Sequence, residues 1–258
     1  PLPDPTSVEP LVTRRTLRPQ EDPCRMLVLC NGMPRSGSTY QYNLARMIVE
    51  MSGAGVAHTY MDIESKGSAA DAWSADRFRA WVRDDAFHVV KMHEVHSIVP
   101  DAIRGEGLKV LYIHRDIRDV AASVKRVRGR TDEALLERVG TAVSLYYELH
   151  ALRLTSPDCV LWQRYDVAVA DPLAATREIR QFLAVSLDEH ATQEIARECS
   201  VESAKRRCDD AQGRVVTQFN RLRADDPQAA REWLLQIQRG ERIMQDKEFM
   251  LPHNHVSR

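Results

Sequence analysis

Two short segments constrain this chain more than anything else in it. Asn31-Gly32-Met33-Pro34-Arg35-Ser36-Gly37-Ser38-Thr39-Tyr40 follows the apolar run Met26 to Cys30. Arg115-Asp116-Ile117-Arg118-Asp119-Val120-Ala121-Ala122-Ser123 follows the apolar run Leu108 to Ile113. Each reads as a strand, a turn with anion-binding residues, and then a helix. In the first, Gly37 lets the backbone bend so that the amides opening the next helix face an anion. Ser38 and Thr39 add hydroxyl donors, and Arg35 adds a fixed positive fork. In the second, Ser123 falls about two helical turns beyond Arg115, within reach of the same phosphate. Two such segments imply a ligand with two separated phosphate groups, as in a nucleotide phosphorylated at both its 5′ and 3′ ends. Taken singly, the first string also fits a plain polar turn. The second also fits a surface run in which Asp116, Arg118 and Asp119 pair with one another.

The rest of the pattern indicates an α/β fold around a mainly parallel sheet. Strands are predicted at Met26 to Cys30, Phe87 to Val90, Leu108 to Ile113 and Cys159 to Gln163. Helices are predicted over Ser38 to Met51, Asp71 to Arg83, Val120 to Val127, Asp132 to Leu154, Pro172 to Leu183 and Asp226 to Met244. Asp171 is a natural N-cap before Pro172 at the first helical position. Ligands of such folds sit at the carboxyl ends of the strands. Residues 1–25, with Pro1, Pro3, Pro5, Pro10, Pro19 and Pro23, read as an extended arm. Residues 26–258 are expected to form one domain.

The 258 residues carry 36 basic and 37 acidic side chains, a formal net charge of -1, so any anion site must be local and nucleic acid is not an expected partner. Five scattered cysteines, an odd number without a C-x-x-C pair, argue against a disulfide framework and fit a reducing, cytoplasmic setting. Cys30 and Cys159 lie in strand-like runs and are expected to be small buried hydrophobes. No stretch approaches the roughly 20 apolar residues of a membrane helix.

Pro34-Arg35-Ser36-Gly37-Ser38-Thr39-Tyr40 resembles the P-[KR]-[ST]-G-[ST]-[TS]-[WYL] loop of sulfotransferases that use 3′-phosphoadenosine 5′-phosphosulfate (PAPS). Arg115 to Ser123 resembles their R-D-[PL]-R-D-x-[AV]-x-S element, with Ile117 where the family often has Pro. The resemblance implies a three-layer, P-loop nucleotide-kinase-like α/β/α fold. It also implies that Arg35, Ser36, Gly37, Ser38 and Thr39 hold the 5′-phosphosulfate, and that Arg115 and Ser123 hold the 3′-phosphate. The product would be adenosine 3′,5′-bisphosphate. Lys91-Met92-His93, with Pro100 further on, is similar to the family's K-[TS]-H-x-x-x-x-x-x-P stretch, Met92 replacing a small hydroxyl residue. There the His is the general base on the acceptor hydroxyl and the Lys lies near the phosphosulfate. This makes His93, Lys91 and Arg35 the catalytic candidates, with Glu94 and His96 as runners-up for the base. A base titrating near neutrality suits a hydroxyl nucleophile. His93 and His96 could in principle be metal ligands, but no third ligand is placed and no metal is expected.

Tyr40 stands where many relatives have a Trp on the adenine. Tyr165, in Trp162-Gln163-Arg164-Tyr165-Asp166, resembles a family Tyr beside the base, with core packing at a strand end as its alternative. The family's R-K-G-x-x-G-D-W-K cofactor element is not found, and the segment ending His253-Asn254-His255-Val256-Ser257-Arg258 suggests a cofactor loop cut short there. His58, Tyr60, Met61 and Trp73 are acceptor-side candidates, together with the helix Asp132 to Leu154. Asp62, Glu64 and Lys66 favour a polar small-molecule or glycan acceptor bearing a hydroxyl. Two rival functions remain. A P-loop small-molecule kinase should carry a Gly-Lys-Ser/Thr lysine and a magnesium-binding acid; neither is evident, with Asp116 as a candidate for the acid. A noncatalytic nucleotide-binding protein would bind the bisphosphate without transfer.

Overall fold

The computed structural model describes residues 26–60, 75–93, 107–128 and 132–238. Five parallel strands form one sheet: β1 Met26–Gly32, β2 Gly55–Tyr60, β3 Phe87–Lys91, β4 Leu108–His114 and β5 Val160–Arg164, in the order β2-β3-β1-β4-β5. All seven residues of β1 are buried, because helices cover both faces and leave no polar side for the strand. The register sets Leu27 beside Leu108 and Gly32 beside Ile113, and Cys30 beside Lys91. Strand β1 lies between β3 and β4, so their carboxyl ends frame the crevice where such sheets bind ligands.

The helices are α1 Ser38–Met51, α2 Ala75–Arg83, α3 Ile117–Arg128, α4 Asp132–Thr155, α5 Tyr165–Ala170, α6 Pro172–Leu183, α7 Glu189–Glu198, α8 Val201–Asp225 and α9 Pro227–Gln238. Alternate strand residues divide the core in two. Val28, Cys30, Val89, Leu111 and Ile113 face α1, α6 and α7, where Leu44, Ile48, Ile179 and Ile195 pack against them. Leu27, Leu29, Val90, Val110 and Tyr112 face α2, α3 and α4, meeting Phe78, Val120, Val124, Leu145 and Leu149. As expected, Asp171 caps α6, its carboxylate accepting from the Ala174 amide at 2.9 Å.

The sheet has one strand more than the sequence indicates. Gly55–Tyr60 lacks a continuous apolar run, which an edge strand paired only with β3 does not require. Tyr165 opens a short helix rather than ending a strand. Helices α7 and α8 are also additional; α8 is mostly exposed and has no strong apolar stripe to betray it. Cys30 is buried as expected, Cys159 only half-buried, and both are free thiols, as is Cys199. The N-terminal arm, residues 71–74 and 239–258, Met61, Trp73, Glu94, His96 and Pro100 lie outside the described residues.

Candidate active site

The loop between β1 and α1 is shaped by two residues in the left-handed region, Arg35 at φ 69° and Gly37 at φ 93°. The alternation of handedness about Ser36 turns successive amides to one side, a concavity suited to an anion. Gly37 is also the N-cap of α1, its carbonyl accepting from the Gln41 amide at 3.1 Å. The amides of Ser38 and Thr39, in the first turn, have no acceptor within the helix. Ser38 is buried and Thr39 half-buried. Ser36 serves the loop itself. Its amide donates to the Met33 carbonyl, and its hydroxyl lies 2.7 Å from that oxygen and 2.8 Å from the Ile113 carbonyl of β4. With one proton directed at two backbone acceptors, this side chain fastens the loop to the sheet and has no donor left for a phosphate.

The second element begins where β4 ends. Asp116 caps α3, accepting from the Arg118 amide at 2.9 Å, and it also holds the Arg118 guanidinium in an exposed pair at 2.6 Å. That pairing keeps the Asp116 carboxyl well below its usual range. The surface-pair alternative thus describes Asp116 and Arg118, and this carboxylate is committed to Arg118. Arg115 is different. Its Nε donates to Asp119 at 3.3 Å, and its guanidinium carbon lies 5.0 Å from the centre of the Tyr165 ring.

The two elements meet. Arg35 Nε donates to Ser123 Oγ at 3.2 Å, across 88 residues of sequence. Ser123 is buried, and its oxygen, receiving this bond, keeps its own proton to donate. Residues read separately as a 5′ and a 3′ set are therefore in contact.

On the other side of β1 stand the residues that end β3. Lys91 is fully buried. Burial lowers its pKa from 10.5 to about 8, an effect opposed by Cys30 and reinforced by Arg35. Two neighbouring cations that disfavour each other are an arrangement an anion relieves. His93 Nδ1 lies 2.9 Å from the Gly32 carbonyl oxygen. A carbonyl can only accept, so Nδ1 carries a proton and the neutral ring has its lone pair on Nε2.

Tyr40 is half-buried against the core beneath α1, and its hydroxyl donates to the Ala168 carbonyl of α5 at 2.9 Å. Tyr165 overlies the first loop so closely that a Cβ at position 37 would lie 2.3 Å from its ring. His58 does not join this group. Its Nε2 lies 2.8 Å from His88 Nδ1, and its ring stacks on Trp81 at 4.1 Å between centroids. It belongs to a side-chain cluster at the edge of the sheet. The sequence signal missed here was His88, Asp84 and Trp81, which alternate-residue and helical spacing bring toward β2. Among the described residues, no three His, Cys, Asp or Glu side chains converge as metal ligands, and no helix is long and apolar enough to cross a membrane.

Among solved structures, the chain is similar to retinol dehydratase in a complex with retinol and PAP, at 18% identity, covering 71% of this chain and 67% of that one with a TM-score of 0.46. It is similar to the mouse sulfotransferase SULT7A1 complexed with PAP, at 19% identity, covering 71% and 67% with a TM-score of 0.49. It is also similar to a sulfotransferase from Alicyclobacillus acidocaldarius, at 14% identity, covering 62% and 81% with a TM-score of 0.37. No curated protein matches the chain significantly. The family model described as the sulfotransferase domain matches residues 26–221, from the first residue of β1 into α8. The match takes in both anion-binding elements and Lys91 and His93, and the chain belongs to the sulfotransferase domain family.

Proposed function

We propose that this protein transfers a sulfuryl group from PAPS to an acceptor hydroxyl, with His93 as general base. The observation that carries this reading is the Arg35–Ser123 hydrogen bond, which makes one site of two anion-binding elements. Arg35, the Gly37, Ser38 and Thr39 amides and the hydroxyls of Ser38 and Thr39 would hold the 5′ side. Arg115 and Ser123 would hold the 3′-phosphate, and Tyr40 and Tyr165 would lie near the base. Ser36 contributes through the loop it fastens. When bound, PAPS supplies the sulfuryl group and leaves as adenosine 3′,5′-bisphosphate.

His93 Nε2 would take the acceptor proton, its ring orientation held by the Gly32 carbonyl. Arg35 and Lys91 would stabilise negative charge developing on the leaving oxygen, in surroundings where burial strengthens each charge. The acceptor is a small molecule or glycan bearing a hydroxyl, as the polar residues following β2 favour. Residues 26–258 act as one domain in this reading. The scattered cysteines support a cytoplasmic setting.

The test is thermal unfolding with adenosine 3′,5′-bisphosphate, adenosine 5′-monophosphate, or ATP with magnesium. A native-state ligand at a hundredfold excess over its Kd stabilises by roughly 2.7 kcal/mol. A shift specific to the bisphosphate, lost in Arg115→Ala, is the expected result. A shift only with ATP and magnesium, or none with any ligand, overturns the reading.

A further inference from the structure

We propose that Tyr165 is a positioning residue that holds Arg115 for recognition of the 3′-phosphate; this rests on the sulfotransferase reading above. The base contact implied by family resemblance is a different role. Tyr165 is the first residue of α5, at the carboxyl end of β5, beside the strand that delivers Arg115. The Arg115 guanidinium carbon sits over the ring face, 5.0 Å from its centre. On another side Asp119 accepts from Arg115 Nε at 3.3 Å. An arginine on an open surface samples many rotamers. Held between an aromatic face and a carboxylate, its outer N–H groups are left in a defined plane.

The same ring is pressed against the first loop. A Cβ at Gly37 would come within 2.3 Å of Tyr165 Cδ2 and 2.6 Å of Cε2. The ring thus fills the space between the loop that takes the 5′ end and the arginine that takes the 3′ end, and fixes how far apart they stand. Position 37 excludes any side chain for two reasons: its φ of 93° and the Tyr165 ring.

The experiment is calorimetric titration with adenosine 3′,5′-bisphosphate and adenosine 5′-monophosphate, which lacks the 3′-phosphate. The proteins are wild type, Tyr165→Leu, Tyr165→Phe, Arg115→Lys, Arg115→Ala and Tyr165→Leu/Arg115→Ala. Tyr165→Leu should weaken the bisphosphate roughly tenfold more than it weakens the monophosphate, as loss of a partly desolvated cation–π contact allows. Tyr165→Phe should restore the preference, and Arg115→Lys, which keeps the charge without the plane, should lose part of it. In the Arg115→Ala background Tyr165→Leu should weaken the two nucleotides equally. Equal weakening of both nucleotides by Tyr165→Leu alone would overturn the proposal, as would an undiminished difference between them in the Arg115→Ala background. If Tyr165→Leu does not fold, retention of the full preference by Arg115→Lys overturns it. A wild type with no preference for the bisphosphate would instead defeat the sulfotransferase reading itself, and this proposal with it.

Discussion

The fold buries polar side chains at the centre of its sheet and at its edge, and resolves the cost in opposite ways. At the edge, Asp84 accepts from His88 Nε2 at 2.7 Å, His88 Nδ1 and His58 Nε2 share a proton at 2.8 Å, and Trp81 covers His58. Every one of these ring nitrogens except His58 Nδ1 is matched inside the cluster. At the centre, Arg35 and Lys91 lie close enough for one to lower the other's pKa, and burial lowers that of Lys91 further. The edge cluster is a closed acid–imidazole chain that ties β2 and the end of α2 to β3. The central one brings together two cations that disfavour each other. Buried polarity at the edge serves the fold, since its groups satisfy one another.

Substitutions separate the two clusters. The largest effect is expected from His93→Ala, which should lower the turnover of an accepted hydroxyl compound by about 10²–10⁴-fold, the usual contribution of a general base. Bisphosphate affinity, measured by titration, should not change. Lys91→Met comes next. Transfer should fall by about a hundredfold, in line with loss of one electrostatic contact to the leaving group. Denaturant unfolding without ligand should nevertheless show stability equal to wild type or higher, since a buried cation is removed. His88→Ala should do the reverse, costing about 1–3 kcal/mol of stability with the bisphosphate Kd intact. A His88 variant that abolished binding, or a Lys91 variant that unfolded, would erase the distinction.

The smallest effects are pH dependences with distinct windows. Burial, then His88 and Arg77, lower the His58 pKa from 6.5 to about 4. Between those values the unfolded chain binds the extra proton, so stability should fall as pH drops from 6.5 toward 4. His58→Phe should flatten that part of the denaturant-midpoint profile. Lys91, lowered from 10.5 to about 8, acts in the alkaline range. There too the unfolded state binds more protons, so its contribution makes ligand-free stability rise from pH 8 toward 10.5. Lys91→Met should remove this rise.

Much of this was legible because short motifs carry their own chemistry. A glycine opening a helix at a strand end, and an arginine two helical turns before a serine, bring amides and polar side chains to one end of the sheet. The runs forming β1, β3 and β4 are apolar because both faces of a parallel sheet are covered. Strand β2 was not legible: an edge strand with Gly55, Ala57, His58 and Thr59 has no such run. Nor was the role of Ser36, whose type suits phosphate binding but whose hydroxyl faces the Met33 and Ile113 carbonyls. His58 reads in sequence as an acceptor-side residue, yet strand pairing directs it to His88 instead.

The family, the parallel α/β architecture and the strand ends where the candidate site residues lie were readable from local residue types and their spacing. The tertiary structure alone decided that Arg35 bonds Ser123, that Tyr165 stands between Gly37 and Arg115, and that Gly32 sets the protonated nitrogen of His93. Each of these joins residues far apart in the chain. Their distances depend on the strand order β2-β3-β1-β4-β5 and on which face of the sheet each side chain takes. No local pattern records either, since both arise when the whole sheet is assembled and its two cores are packed.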